Sequence, residues 1–393
     1  MTKLGEYISI KHGFAFKGKG ISIEDNGIVL VTPGNFAIGG GFKEEKCKFF
    51  NGEYPSEYVL SPDDLIVTMT DLSKEMDTLG YSALVPLSNR TYLHNQRIGL
   101  ISMNSEEIDK HYLYWFMRTK KYQSIIAGGA SGTTVHHTSP NRICNVDVEF
   151  PNILTQKKIA GILDDIERKV KQNVEVNKNL LEQAQSIFTQ EFLMLDRIPD
   201  SWQESSLLGI ADYLNGLAMQ KYRPKDDDQG LPVLKIKELR QGSCDFNSEL
   251  CSPSIKPEYI VHDGDVIFSW SGSLLVDLWC GGTCGLNQHL FKVTSSTYDK
   301  WFYYAWTNYH LQKFAAIAAD MATTMGHIKR EELSKAEVLI PSQSDYDRIG
   351  GLLAPLYDLV IANRIENRKL ASLRDALLPQ LMSGQLDVSV VSL

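Results

Sequence analysis

What this sequence lacks narrows its function before any motif is read. No apolar run approaches the roughly 20 residues that a membrane-crossing helix needs, and Met1-Thr2-Lys3-Leu4 leads straight into a strand-like segment where a signal peptide would carry an apolar stretch. The expectation is a soluble, cytoplasmic chain with no membrane contact. Cysteine is sparse: Cys47, Cys144, Cys244, Cys251, Cys280 and Cys284 are the six in 393 residues, too few and too unevenly spaced for a disulfide framework. Low-complexity sequence is missing too, and 43% hydrophobic with 22% charged residues is the balance of a folded chain long enough for two or three domains. Positive charge is not in excess. At a net charge of −8, binding to a polyanion would need basic residues gathered on loops, or a partner that supplies attraction.

Catalytic motifs fail at decisive positions. Gly13-Phe14-Ala15-Phe16-Lys17-Gly18-Lys19-Gly20 nearly spells a phosphate-binding loop, but Gly20 stands where a Ser or Thr hydroxyl would hold magnesium. The following Ile21-Ser22-Ile23 does not start a helix. An amino-methyltransferase would need an Asn-Pro-Pro-aromatic or Asp-Pro-Pro-aromatic turn to hold its target amine, and the chain has no Pro-Pro pair. A nuclease lysine is wrongly spaced in Asp71-Leu72-Ser73-Lys74, after Pro62-Asp63. Of Cys244, Cys251, Cys280 and Cys284 only the last two are close, and the first half has no equivalent, so no metal site is expected. No catalytic residue and no resident cofactor is assigned.

What is present is a repeat. Leu4-Gly5 through Gly13-Phe14-Ala15-Phe16 matches Leu208-Gly209 through Gly216-Leu217-Ala218-Met219; Tyr58 to Thr70 matches Tyr259 to Ser271; Asn95-Gln96 matches Asn287-Gln288. Asp109-Lys110 opens an aromatic segment through Tyr112, Trp115 and Phe116, as Asp299-Lys300 opens one through Phe302, Ala305 and Trp306. From there Thr133-Thr134, His137 and Pro151 fall against Thr323-Thr324, His327 and Pro341 at one constant offset.

Each repeat ends in a long helical stretch. Ile159, Ile166, Asn173, Leu180 and Ile187 recur every seventh residue, accompanied by Ile162, Leu163, Val170, Val176 and Ala184. Ile349, Leu356, Asn363, Leu370 and Leu377 do the same, accompanied by Leu352, Leu353, Val360 and Leu373. This is a coiled-coil seam, and the simplest partner for each helix is the other. If they pair antiparallel about a pseudo-twofold axis, Asn173 and Asn363 meet at their midpoints, and the expectation is a hydrogen bond between them that fixes register; splaying into solvent is the alternative. The parts between the helices mix strand-like segments, the aromatic helix and Gly, Pro and Asn turns, which is an α/β pattern. The expected boundaries are a domain over 1–152, a helix over 153–197, a second domain over 198–342, and a helix with a tail over 343–393.

A variable globular domain followed by a long heptad helix, twice over, resembles the specificity subunits of Type I restriction-modification systems across essentially the whole chain. The segments that carry the resemblance are the junctions Val148-Glu149-Phe150-Pro151 to Gln156-Lys157-Lys158-Ile159 and Val338-Leu339-Ile340-Pro341 to Asp347-Arg348-Ile349, together with Asn287-Gln288-His289. The second junction departs from the pattern, with Ser344-Asp345-Tyr346 in place of the Gln-containing turn. The resemblance implies two target-recognition domains separated by an antiparallel helical pair. It also implies a non-catalytic subunit that assembles with two adenine-N6 methyltransferase subunits, and with restriction subunits in the full enzyme. S-adenosylmethionine would sit on the methyltransferase partner, and each domain would read half of a bipartite double-stranded DNA site. Half-sites on one face of DNA lie about 34 Å or a multiple apart, which requires a spacer, and each helix would run roughly 57 Å.

Base edges are read by Arg, Lys, Asn, Gln, Ser and Thr, and phosphates are held by basic and small polar groups on loops. In the first domain those types cluster at Lys17 and Lys19; at Arg90, Asn95, Gln96 and Arg97; and at Ser131, Thr133, Thr134, His136, His137 and Arg142. In the second they cluster at Lys221, Arg223 and Lys225; at Lys237 and Arg240; at Trp270, Ser271 and Ser273; at Asn287, Gln288 and His289; and at Thr323, Thr324, His327, Lys329 and Arg330. Each has a plain surface role as its alternative. For Asn95-Gln96 and Asn287-Gln288 the alternative is turn chemistry common to both repeats, and for the aromatic segments it is helix core. The competing function is a coiled-coil scaffold whose domains bind protein.

Overall fold

The computed structural model describes the chain except residues 72, 74, 75, 133, 134, 226–228, 321–327 and 389–393, with backbone only over 317–320. It divides into two compact units, Met1–Glu167 with Ser372–Leu393, and Arg168–Ala371, so the long helices are shared between units.

In the first unit, Ile8–His12, Ile98–Met103, Leu65–Thr68 and Ser82–Leu84 form a four-stranded antiparallel sheet in that order. A second sheet runs Ile21–Ser22, Lys48–Phe50, Ile28–Val31, Thr91–His94, Val59–Leu60, and pairs Ile28–Val31 parallel to Thr91–His94. The second unit repeats the plan. Asp212–Asn215, Leu290–Thr294, Val266–Ser269 and Leu275–Leu278 form the antiparallel sheet. Leu250–Cys251, Leu231–Leu234, Cys284–Leu286 and Ile260–Val261 form the mixed one, with Leu231–Leu234 parallel to Cys284–Leu286. The central strands Leu65–Thr68 and Val266–Ser269 are nearly continuous apolar runs because both faces are covered: Leu65 to Val67 and Val266 to Phe268 are at most 1% exposed.

The aromatic segments are core helices. Lys110–Phe116 buries Tyr112, Leu113 and Trp115, and Lys300–Asp320 buries Trp301, Phe302 and Trp306. In the first unit that core includes Ile159, Ala160 and Leu163 from the start of the long helix Ile153–Phe188, and Leu381 from the end of Gln343–Met382. The irregular second junction also has a physical explanation. In the first repeat Gln156 Oε1 accepts from Asp109 N at 2.9 Å, and in the second the Tyr346 hydroxyl accepts from Asp299 N at 2.7 Å. Gln and Tyr discharge one obligation, a backbone donor that has to be paired.

Within the second unit the long helices pair antiparallel. Asn173 bonds Asn367, Asn177 bonds Asn363, and Glu191 meets Arg348, so partner numbers fall as the first helix advances. This corrects the expected bond between Asn173 and Asn363, which do not pair with each other. Asn173 Nδ2 donates to Asn367 Oδ1 at 2.8 Å and to Glu366 Oε2 at 2.7 Å, while Asn363 Nδ2 donates to Asn177 Oδ1 at 2.9 Å. The axis passes between these pairs, and the repeat-equivalent bonds from Asn177 to the Val360 carbonyl and from Asn367 to the Val170 carbonyl complete a symmetric ladder. Val176, Leu352 and Leu373, counted with the seam in the sequence, are 43%, 45% and 47% exposed. Asn177 takes the inward position next to Asn173 because residues i and i+4 share a helix face.

Candidate nucleic-acid interface

The matched Gly and Asn motifs of the two repeats meet in space. Phe14 bridges Asn95 and Leu217 bridges Asn287, both in parallel sense. A Cβ on Gly13 or Gly216 would collide with the carbonyl of the partner asparagine, so glycine is required at both positions. Asn95 and Asn287 are each 5% exposed. Their Oδ1 atoms accept from Arg97 N at 3.1 Å and from His289 N at 3.3 Å, which tightens the turn between two strands. The two asparagines therefore build the turn, and it is their neighbours that are presented: Gln96 and Arg97 are exposed, and Gln288 and His289 half-buried.

A second loop reaches each turn. In the first repeat Thr70–Asp71 pairs with His136–His137, the Thr70 hydroxyl lies 3.1 Å from His137 Nδ1, and Met69 N donates to the Arg97 carbonyl at 2.9 Å. Ser131 and His137 exchange backbone bonds at 3.0 and 2.9 Å. The fold thereby gathers Ser131, His136, His137 and Arg97. Asp71 anchors the loop by accepting from Ser73 N, Thr78 N and the Thr78 hydroxyl. Burial pushes its carboxyl up, but the Ser73 and Thr78 bonds outweigh that and hold it below the usual range. In the second repeat the Ser271 hydroxyl lies 3.1 Å from His289 Nδ1, and the Trp270 and His289 rings are 6.3 Å apart. Trp270 Nε1 donates to Asn215 Oδ1 at 3.1 Å, and the Trp270 carbonyl accepts from Ile328 N at 2.9 Å, which brings exposed Lys329 and Arg330 beside it. Gln288 Oε1 is buried without a partner among the described residues. Ser273 is exposed at the end of this loop.

Other candidates stand elsewhere. Arg90 lies at the opposite end of strand Thr91–His94 from Asn95, half-buried and paired with Asp25 at 2.6 Å. Lys17 precedes the turn Gly18–Gly20 and Lys19 lies within it, both exposed. Arg142, on the helix Pro140–Cys144, donates to the Gly129 carbonyl. Lys221, Lys225 and Arg240 are exposed; Arg223 pairs with Glu249 and Lys237 with Asp245, both at 3.3 Å. Exposed pairs of this kind are worth about 0–1 kcal/mol, so either cation can exchange its carboxylate for a phosphate at little cost. Thr133, Thr134, Thr323, Thr324 and His327 lie outside the described residues. Among the described residues no group of three or more His, Cys, Asp or Glu could hold a metal ion, and no helix is long and apolar enough to cross a membrane.

The sequence model of the Type I restriction modification DNA specificity domain matches the chain twice, over residues 1–183 and 199–373. The chain belongs to this family. Among its relatives, the Type I restriction enzyme MjaIX specificity subunit of Methanocaldococcus jannaschii is 26% identical over 300 residues, spanning 70% of this chain and 69% of that protein. The Type I restriction enzyme EcoBI specificity subunit of Escherichia coli is 25% identical over 267 residues, spanning 61% of this chain and 52% of that protein. A crystal structure of the S subunit of a Type I restriction-modification system from M. genitalium shares the fold, with a TM-score of 0.59 at 14% identity over 98% of this chain and 96% of that one. As a Type I specificity subunit, the chain supplies DNA sequence specificity to a restriction-modification system.

Sequence reasoning missed Thr70 and Asp71, which position the His137 loop, and Asn177 and Asn367, which complete the ladder. The signal was available in both cases. Thr70 aligns with Ser271, and Asn177 with Asn367, in the register that links the two repeats.

Proposed function

We propose that this specificity subunit reads an asymmetric bipartite DNA site, one half per repeat, in a complex with two adenine-N6 methyltransferase subunits that restriction subunits join for cleavage. S-adenosylmethionine belongs to the methyltransferase partners, and the chain itself catalyses nothing. The observation that carries this reading is one turn frame presenting different groups, Gln96 and Arg97 in the first repeat and Gln288, His289 and Trp270 in the second, over the buried hydroxyls of Thr70 and Ser271. A common frame means a common approach to DNA, and different presented groups mean unrelated half-sites. Arg97 suits the guanine O6 and N7 acceptors, and Gln96 suits the adenine N6 and N7 pair. The exposed Lys17, Lys19, Lys221, Lys329 and Arg330 would position the backbone without reading sequence.

The test is to express the chain with its methyltransferase subunits and map methylated adenines across the host DNA. A gapped motif with unrelated halves is expected. Arg97→Ala should relax one half and His289→Ala the other. Losing both halves together from either variant, or an ungapped motif, would overturn the reading. A scaffold whose domains bind protein would give no sequence-dependent, salt-sensitive band shift at all.

A further inference from the structure

The first unit contains a cavity of about 960 Å³ lined by, among others, Tyr81, Phe116, Tyr122, Leu378 and Met382. Small-molecule sites commonly enclose roughly 300–1,000 Å³ and are walled by apolar and aromatic groups with a few polar ones. Tyr122 is fully buried, and its hydroxyl has no hydrogen-bond partner among the described residues. Buried polar groups are rarely left unpaired, because desolvation without a bond costs free energy.

The second repeat shows the same place filled. In the register of the repeat, Phe116 corresponds to Trp306, Thr119 to Tyr309, Leu378 to Phe188 and Met382 to Phe192. Those rings pack on one another: Phe188 lies 5.0 Å from Trp306 and 5.7 Å from Tyr309, and Phe192 lies 5.3 Å from Trp306. Trp202 closes on Phe192 at 5.5 Å. Where the second repeat has four rings, the first has one ring and three smaller side chains, and the hollow remains. Around it Lys120 and Lys121 are exposed, with no ion-pair partner among the described residues. The lining carboxylates Asp147 and Asp375 pair with Lys3 and Arg374, which leaves Glu149 to oppose the two lysines.

We propose that this cavity is a binding site for a small aromatic anion, whose ring system takes the space that Phe188 and Phe192 fill in the second repeat and whose charge faces Lys120 and Lys121. The probe is 8-anilinonaphthalene-1-sulfonate, titrated into the full chain and followed by fluorescence. Saturable binding of one probe per chain is expected. Leu378→Phe with Met382→Phe, which copies the rings of the second repeat, should abolish it while sequence-specific DNA binding persists. Lys120→Glu with Lys121→Glu should weaken it roughly tenfold through reversed charge. No saturable binding, or binding retained in the filled variant, overturns the proposal. Should the filled variant fail to fold, unchanged affinity in the charge-reversed variant overturns it equally.

Discussion

Between the aromatic helix and the long helix, the first repeat inserts a charge network and the second inserts rings. In the first, Arg118 donates to Glu167 Oε2 at 2.7 Å and to the Tyr114 hydroxyl, Trp115 Nε1 donates to Asp164 Oδ1 at 2.7 Å, and His111 Nδ1 stands 2.8 Å from Asp164 Oδ2. In the second, Phe188 and Phe192 pack on Trp306, and Tyr304 meets Tyr357 edge-on at 4.9 Å. Charge on that side moves outward, to Arg364 on Asp277 and Arg368 on Asp263, both at 2.7 Å. One backbone frame thus accepts two kinds of fastening. The frame is held by backbone obligations, such as the Asp109 and Asp299 donors and the Gly13 and Gly216 contacts, and those are met in both repeats.

The sharpest way to break this contrast is to remove a buried charge. Arg118 is 8% exposed, and Arg118→Met leaves the Glu167 carboxylate without its guanidinium. The expected cost is about 3 kcal/mol, read as lost hydrogen-exchange protection in the first unit, because the Glu167 carboxylate keeps the Tyr114 hydroxyl but loses the countercharge of Arg118. Arg118→Met with Glu167→Leu should recover most of that loss, since an apolar pair of similar volume avoids desolvation. If the single variant costs under about 1 kcal/mol, the network is ornamental and the two fastenings are not alternatives.

Truncating equivalent positions probes the ring side. Phe192→Ala should cost about 3–5 kcal/mol in the second unit, as ring deletions in a packed core do. Met382→Ala, at the corresponding place beside the hollow of the first unit, should cost only about 1 kcal/mol, because its side chain is half-buried and the surroundings are already loosely filled. Chemical denaturation followed by tryptophan fluorescence measures both, and equal losses would contradict the difference in packing.

This contrast also explains what could be read in advance. The repeat, the heptad helices and the matched Gly and Asn motifs were visible because backbone geometry permits few substitutes there. Only glycine tolerates the Asn95 and Asn287 carbonyls, and only a seven-residue apolar spacing keeps a seam facing its partner. The fastenings were not visible. Tyr346 replacing Gln156, or Asn308 and Tyr357 replacing Arg118 and Glu167, looks like plain divergence until the bonds are located. The seam shows the same limit: Val176 is apolar at a spacing that suits the seam, yet it is 43% exposed, and its neighbour Asn177 meets Asn363. Of the readout residues, chemistry and spacing indicated the loops but could not separate Asn95, which shapes its turn, from Gln96 and Arg97, which the turn displays.

The asparagine ladder is where the repeats should behave alike. Asn177 and Asn367 occupy equivalent positions and make equivalent bonds to the Val360 and Val170 carbonyls. Asn177→Ala and Asn367→Ala should each cost about 1–3 kcal/mol, the penalty for stripping partners from buried polar groups. Costs matching within about 0.5 kcal/mol by thermal melts would support a true pseudo-twofold at this point, and a large disparity would show that one pair alone sets the register.

The smallest effect is a loss of stability with rising pH that His111 should give the first unit. Its His111 stands between Asp164 at 2.8 Å and Asp63 at 3.6 Å, with Lys110 adjacent, whereas the second repeat has Trp301 and Ala354 at the places of His111 and Asp164. The hydrogen bond to Asp164 raises the imidazole above its ordinary value, against the opposing pull of burial. A raised folded-state value means the stabilisation is complete below about pH 6.5 and is lost as pH climbs through the higher folded value. His94 in the first unit and His310 in the second are shifted down by burial, so their contributions change only below about pH 6.5, while the Cys244 thiol of the second unit, lowered by its bond with Cys284, adds a slope of the opposite sign as pH rises. Between pH 6.5 and 8, amide protection in the first unit should therefore fall by no more than about 1 kcal/mol, since the pair is partly exposed and screened. His111→Gln should flatten that slope without altering the second unit, and a slope that survives the substitution would assign the titration to another group.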